Sequence, residues 1–145
     1  MGFIPFITFI VILAAFIPML MDTGENAGSQ SATLVIRGMA LGEIAIKDYF
    51  LVIFKEIRLS LIVGVVLALV NFLRIWLFNN DILLAMTVSL LFAVVLAKTV
   101  GCTPPIVARK FKIDPAIMAA PIITTIVGVL SLLVYFKLAV VLLHL

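Results

Sequence analysis

The residues that could do chemistry are concentrated in one polar stretch, Met21 to Thr33, of an otherwise apolar chain. The stretch holds two carboxylates, two carboxamides, two glycines and four hydroxyls. Asp22 and Glu25 lie three residues apart, so on a helical turn they share a face. Hard divalent cations prefer oxygen ligands, and magnesium in particular keeps several of its waters. The stretch is therefore a candidate site for a hydrated divalent cation.

Neutral groups in the same stretch could contact the waters of such an ion. The candidates are the amide of Asn26 and the hydroxyls of Ser29 and Thr33, while Gly24 and Gly28 leave backbone carbonyls accessible. An alternative stays open at this point. The stretch could be a turn beside the membrane whose carboxylates are simply solvated, because ionisable groups indicate function only when they are truly within the membrane.

The last apolar segment carries a second, weaker set of polar groups. Thr124 and Thr125 are hydroxyls of a kind that usually bonds back to its own helix. Pro121 leaves one backbone carbonyl near position 117 without its helical partner, facing either a pore or a neighbouring helix. The sequence contains no Ser-His-Asp arrangement, phosphate loop or metalloprotease motif, so we do not expect an enzyme.

The composition places these residues in a membrane protein. Of the 145 residues, 66% are hydrophobic and 12% are charged, whereas soluble domains carry about 25% charged residues. A helix needs about 20 mostly apolar residues to cross a bilayer. The sequence predicts an all-α integral membrane helical bundle of about four spans, with residues 1–145 forming a single transmembrane transport domain.

The predicted spans begin at Phe3, Leu59, Ile82 and Pro115, and a loop from Gly101 to Asp114 precedes the last. The first span runs into the polar stretch and then into a second helical arm. Because the two arms together are too long for one straight span, we expect a broken helix, or a span continued by an amphipathic segment.

The positive charges are distributed asymmetrically between the predicted loops. One side holds eight of the ten Lys and Arg residues: Arg37, Lys47, Lys55, Arg58, Lys98, Arg109, Lys110 and Lys112. The positive-inside rule makes that side cytoplasmic. We therefore expect a multi-pass protein of the inner (plasma) membrane, in contact with membrane lipid and with both termini outside. No basic patch is interleaved with aromatic residues, so nucleic acid is not an expected partner.

The residues so far described resemble the membrane domain of the MgtE-type magnesium transporters and channels. The stretch Pro18 to Ala40 resembles the family's helix-two signature of glycines, Asn, Gln, Thr and a following Arg. Further positions match in the same order and spacing: Lys55, Glu56, Gly64, Gly101, Pro105, Arg109, Lys110, Asp114, Pro115, Ala116, Pro121 and Thr125.

The resemblance implies a homodimer with a pore on its two-fold axis, lined by the first and last spans, through which hydrated Mg²⁺ moves inward. By position, the family's pore groups fall on Asp22, Glu25, Ser29, Thr33, Ala120, Thr124 and Gly128. Combining the resemblance with the chemistry of the residues, we predict one metal-contacting set and one further pore-lining set. The first is Asp22, Glu25, Asn26, Ser29, Thr33 and Thr124, and the second is Gly24, Gly28, Ala120, Pro121 and Gly128.

Two departures from the family pattern carry the main hypothesis. The family's last span normally holds an acidic residue, where this chain has Gly128. Conversely, Asp22 and Glu25 stand at positions that are usually glycine. The hypothesis is that one or both of these carboxylates, doubled by a two-fold axis, replace the missing charge.

The family's first transmembrane helix and its cytoplasmic magnesium-sensing domains have no counterpart in this sequence. We expect a natural minimal form, a truncation, or a partner chain that supplies the helix. Two alternatives to magnesium conduction follow. The chain could be a non-conducting accessory subunit that pairs with a fuller homologue, or it could transport a different cation or substrate on the same scaffold.

Overall fold

The computed structural model describes the backbone of residues 3–78 and 83–143, with side chains at 10–77, 86–117 and 121–142. The elements are α1 (Phe3–Ala40), a short 3₁₀ turn (Ile46–Asp48), α2 (Tyr49–Phe78), α3 (Leu83–Gly101), α4 (Thr103–Lys110) and α5 (Pro115–Leu143). Among the described residues, four segments are long and apolar enough to cross a membrane: Ile10–Ala40, Ile46–Leu77, Met86–Lys110 and Pro121–Leu142. The prediction of an all-α membrane bundle with four spans is confirmed.

α1 is one continuous α-helix that includes both Pro18 and the whole polar stretch. Of the two alternatives for this segment, the broken helix is therefore wrong. The helix ends only at Ala40, where Gly42 adopts a positive φ of 75°. The Gly42 and Glu43 amides donate to the carbonyls of Met39 and Gly38, the pattern of a Schellman motif, which requires a left-handed residue and so favours glycine.

The segment Gly101 to Asp114, expected to be a loop, contains the short helix α4. Pro104 and Pro105 lie in its first turn, where a missing amide hydrogen costs no helical hydrogen bond. A true break follows at Phe111 to Asp114. α5 then begins at Pro115, and the Asp114 carboxylate accepts a hydrogen bond from the Ala116 amide at 2.9 Å, as an N-cap residue does.

α3 is the central helix of the bundle, because it packs against α1, α2 and α5. α1 also packs along α5, whereas α2 contacts mainly α3. The opposite face of α2 therefore exposes a row of large apolar side chains, among them Ile62, Val66 and Leu73. Exposed apolar surface of this extent suits contact with lipid. Exposed polar residues of α1 lie in the stretch between Asp22 and Thr33, in the helix that packs along α5.

Candidate functional site: a carboxylate groove between α1 and α5

The predicted metal-contacting residues of α1 form a single stripe along one face of the helix. Asp22, Asn26, Ser29 and Thr33 follow one another at intervals of four, three and four residues, and Glu25 adjoins them. Residues three and four apart on a helix lie above one another. Asp22, Asn26 and Thr33 are exposed, whereas Glu25 and Ser29 are half-buried. The helical geometry therefore brings these five predicted residues together on one surface.

Glu25 lies in a groove of about 290 Å³ between α1 and α5. The groove is lined by Met21, Glu25, Thr124, Thr125, Gly128 and Val129. A β-carbon added to Gly128 would lie 2.8 Å from the Glu25 carboxylate oxygen Oε1 and 3.2 Å from the Met21 methyl carbon. The space that a side chain at position 128 would fill is thus occupied by the Glu25 carboxylate.

The C-terminal part of the stripe, from Asn26 to Thr33, lines a second, larger groove of about 560 Å³. Its lining residues are Asn26, Ser29, Gln30, Thr33 and Leu34. Within it, the Thr33 hydroxyl donates a hydrogen bond of 2.8 Å to the Ser29 carbonyl. The metal-contacting set is therefore divided in a single copy of the chain: Glu25 and Thr124 share one groove, and Asn26, Ser29 and Thr33 share the other. Asp22 lines neither of these two grooves.

The carboxylates of the stripe have no protein partner in the part of the chain that the structure describes. No ion pair or hydrogen bond joins Asp22 or Glu25 to a described side chain. The described residues also contain no cluster of three or more His, Cys, Asp or Glu that could hold a metal ion. One copy of the chain thus offers at most two carboxylates, a donor set that suits a cation keeping most of its waters.

The predicted groups on α5 are placed beside the groove. Thr124 and Thr125 both donate to the Pro121 carbonyl, at 3.1 and 2.8 Å, so these hydroxyls bond back to their own helix. Both residues line the groove, and a hydroxyl oxygen that donates one hydrogen bond can still accept another from a water molecule. The Ala120 side chain lies outside the described residues.

Gly24 and Gly28 lie in helix contacts and line neither groove. Gly24 faces Ser131 of α5, whose hydroxyl lies 2.5 Å from the position a β-carbon would take. Gly28 faces Val127 of α5 and the Ala97 carbonyl of α3, at 3.0 and 3.2 Å from such an atom. A β-carbon on Gly101 would in turn overlap the Gly28 backbone. Both glycines allow close helix packing, and the structure gives no support to the expectation that their carbonyls are accessible.

The opposite face of α1 carries a charged cluster that sequence reasoning missed. The Lys98 ammonium of α3 lies 3.6 Å from the Glu56 carboxylate of α2. The same carboxylate accepts a 2.5 Å hydrogen bond from the Ser31 hydroxyl of α1. All three residues are at least 95% buried. Lys98 is consequently not a loop charge, contrary to the prediction, and the cluster joins three helices inside the bundle.

Comparison with known proteins identifies relatives that cover almost all of the chain. Residues 17–138 match the family model MgtE, described as a divalent cation transporter. The magnesium transporter MgtE of Bacillus subtilis is 36% identical over 137 residues, which are 93% of this chain and 30% of that protein. The magnesium transporter MgtE of Thermus thermophilus is 34% identical over 139 residues, 95% of this chain and 31% of that protein.

The chain thus spans about a third of the length of the curated relatives that it matches. A family of transporters also agrees with the expectation that the chain is not an enzyme. The four membrane-spanning helices, the carboxylate groove between α1 and α5 and the match over residues 17–138 agree with one another. The chain belongs to the MgtE family of divalent cation transporters.

Proposed function

We propose that this chain conducts hydrated Mg²⁺ across the membrane through a pore on the two-fold axis of a homodimer. In this proposal, α1 and α5 of each copy line the pore. Asp22 and Glu25 supply its negative charge, while Asn26, Ser29, Thr33 and Thr124 contact the waters of the ion. The matched relatives are named magnesium transporters, which favours magnesium as the cargo.

One observation carries the proposal: the Glu25 carboxylate lies where a side chain on Gly128 would be. The family resemblance expects an acidic residue at position 128, and an added β-carbon there would lie 2.8 Å from Glu25 Oε1. Moving the carboxylate from α5 to α1 therefore leaves negative charge in the same part of the groove. A cation passing the groove would meet the charge at the same place, although a different helix carries it.

The surroundings of Glu25 also favour an ion as its partner. The residue lies within the membrane-spanning segment Ile10–Ala40, where an ionisable group is costly and points to function. It has no partner among the described side chains. Two copies would bring four carboxylates to one axis, and a bound cation would relieve their mutual repulsion.

The proposed dimer and orientation rest on the arrangement of the helices and charges. The exposed polar stripe lies on α1 and adjoins a groove that α1 forms with α5, so pairing through these two helices would turn the stripe towards a shared axis. Lys47, Lys55, Arg109 and Lys110 lie at one end of the bundle, which is then the cytoplasmic end in the inner membrane. Both termini lie outside in this orientation.

The experiment that tests the proposal is cation influx into liposomes that contain only the purified chain. We expect Mg²⁺ influx with wild-type protein, and a decrease of roughly ten-fold for Glu25→Gln, equivalent to losing about 1.4 kcal/mol of ion stabilisation. Asp22→Asn should have a smaller effect, since Asp22 is exposed and does not line the groove. Glu43→Gln removes an exposed carboxylate outside the stripe and serves as the matched control.

The alternatives give different results in the same assay. Influx of another divalent cation in place of Mg²⁺ would identify a different cargo on the same scaffold. No influx with the chain alone, and influx when it is co-expressed and reconstituted with a second membrane protein, would identify an accessory subunit. Unchanged Mg²⁺ influx in both Asp22→Asn and Glu25→Gln would contradict the role given to the two carboxylates.

A further inference from the structure

We propose that a groove at the basic end of the bundle, between the start of α2 and α4, binds an anionic glycerophospholipid. The groove has a volume of about 510 Å³. Its lining residues are Ile46, Lys47, Tyr49, Phe50, Ile106, Val107 and Lys110. It shares no lining residue with the carboxylate groove, and the inference does not depend on the proposed pore.

The groove lies at the level where a lipid headgroup would meet the protein. The membrane-spanning segments that form its two walls are Ile46–Leu77 and Met86–Lys110. Lys47 is therefore at the first turn of one span, and Lys110 is the last residue of the other. Basic pockets between transmembrane helices at a membrane surface are typical sites for anionic headgroups.

In each wall, a lysine at the end of the span is followed by an apolar side chain deeper in the span. Phe50 lies three residues into the span from Lys47, and Val107 lies three residues into the span from Lys110. Three residues of helix rise about 4.5 Å. A lipid has the same order, with a phosphate at the surface and acyl chains below it. The groove thus offers ammonium groups to the phosphate and apolar surface to the upper acyl chain.

The two lysines are available to an anion. Both are exposed, and neither forms an ion pair with any carboxylate that the structure describes. The nearest acidic residue in the sequence, Asp48, accepts a 2.9 Å hydrogen bond from the Ala45 amide and does not line the groove. A lysine ammonium binds phosphate as a point charge, so two of them on opposite walls favour an anion between them.

The floor and walls of the groove are held in place by the core. Ile106 is 3% exposed and packs in a buried cluster with Val52, Cys102 and Met39. The Tyr49 and Thr103 hydroxyls lie 3.3 Å apart and join the start of α2 to the start of α4. Phe50, by contrast, is 80% exposed. The groove is therefore preformed, and its apolar wall lacks a cover that a lipid chain would supply.

The test is lipid binding to the purified chain, measured by native mass spectrometry with phosphatidylglycerol and phosphatidylcholine of identical acyl chains. We expect phosphatidylglycerol to bind in preference to phosphatidylcholine. Lys47→Gln and Lys110→Gln should each weaken phosphatidylglycerol binding about five-fold, and the double variant about 25-fold. Phosphatidylcholine binding should not change.

The matched control is the double variant Arg109→Gln and Lys112→Gln, which removes two exposed charges from the same end of the bundle without altering the groove lining. An equal loss of phosphatidylglycerol in this control would show that net charge, not the groove, binds the lipid, and would overturn the proposal. Unchanged binding in the Lys47/Lys110 double variant would also overturn it.

Two further outcomes separate the lipid from other occupants. Inorganic phosphate should not displace phosphatidylglycerol, because it lacks the acyl chain that contacts Phe50 and Val107; displacement would assign the site to a free phosphate instead. If a second copy of the chain covered the groove, lipid would bind monomers and not dimers, which would also contradict the proposal. The thermal unfolding temperature of each variant verifies that it is folded.

Discussion

The two faces of α1 use polar residues in opposite ways. The outer stripe presents Asp22 and Glu25 without any described protein partner. Two turns further along, Ser31 turns inward and joins the buried Glu56 and Lys98. Charges that are paired inside a membrane bundle hold the helices in position, whereas unpaired carboxylates on the same helix are available to an ion. The difference separates residues that hold the helices together from residues that, in the proposed function, contact the ion.

The largest loss of stability should follow from disrupting the buried cluster of Ser31, Glu56 and Lys98. Lys98→Met removes the cation that lies 3.6 Å from Glu56 and leaves a buried carboxylate uncompensated. Losing one partner of a buried ion pair typically costs about 3–5 kcal/mol. We expect a large decrease in the free energy of unfolding, measured by chemical denaturation in detergent micelles.

Two further variants sharpen this comparison. Adding Glu56→Gln to Lys98→Met removes the unpaired charge while Ser31 keeps a side-chain acceptor, so most of the lost stability should return. Glu25→Gln removes a carboxylate that has no described partner on the outer stripe, so it should not lower the unfolding free energy. Equal destabilisation by Lys98→Met and Glu25→Gln would show that the two faces of α1 do not differ in their contribution to stability.

A smaller loss of stability is expected from a substitution at the contact between α1 and α3. Gly101→Ala would place a methyl group onto the backbone of Gly28, so the two helices must separate. Overpacking of this kind costs about 1–3 kcal/mol. The measurement is the same unfolding free energy, together with Mg²⁺ influx, because a shifted α1 moves the stripe relative to α5.

Gly64→Ala is the matched control for this change. Its new methyl group would meet the Leu91 Cδ1 atom, 2.8 Å away, at the end of a flexible side chain that can rotate. Alanine also has the higher helix propensity. The Gly64 variant should therefore be as stable as wild type or slightly more stable. If Gly101→Ala were equally well tolerated, the close approach of α1 and α3 would have no role in the packing.

The four spans could be predicted because long apolar runs leave few alternatives in a chain with 12% charged residues. α4 was missed because Pro104 and Pro105 were interpreted as loop residues, although proline is acceptable in the first helical turn. A broken helix was expected because the two arms around the polar stretch are together too long for one straight span. The helix is instead continuous, and Gly24 and Gly28 of the stretch pack against α3 and α5, tertiary contacts that cannot be inferred from the local sequence.

Only the local part of the candidate site could be predicted, because the rest depends on contacts between residues far apart in sequence. The spacing of Asp22, Asn26, Ser29 and Thr33 is local, so a helical face could be inferred from it. The Lys98–Glu56 pair joins residues far apart in sequence, and each charge alone resembles a residue at the end of a span. Lys98 lies near the end of an apolar segment and was therefore assigned to a loop. Its partner on α2, Glu56, allows it to be buried instead.

The most direct test of the central claim is Mg²⁺ influx in a swap of the carboxylate between helices. Glu25→Gly alone should lower influx by roughly ten-fold, about 1.4 kcal/mol of ion stabilisation. Glu25→Gly combined with Gly128→Asp returns the carboxylate to α5 in the space that Glu25 vacates, and it should restore most of the influx. Two results would contradict the claim that Glu25 supplies the charge expected at position 128. One is a folded double variant in which Gly128→Asp does not restore influx. The other is undiminished influx with Glu25→Gly alone.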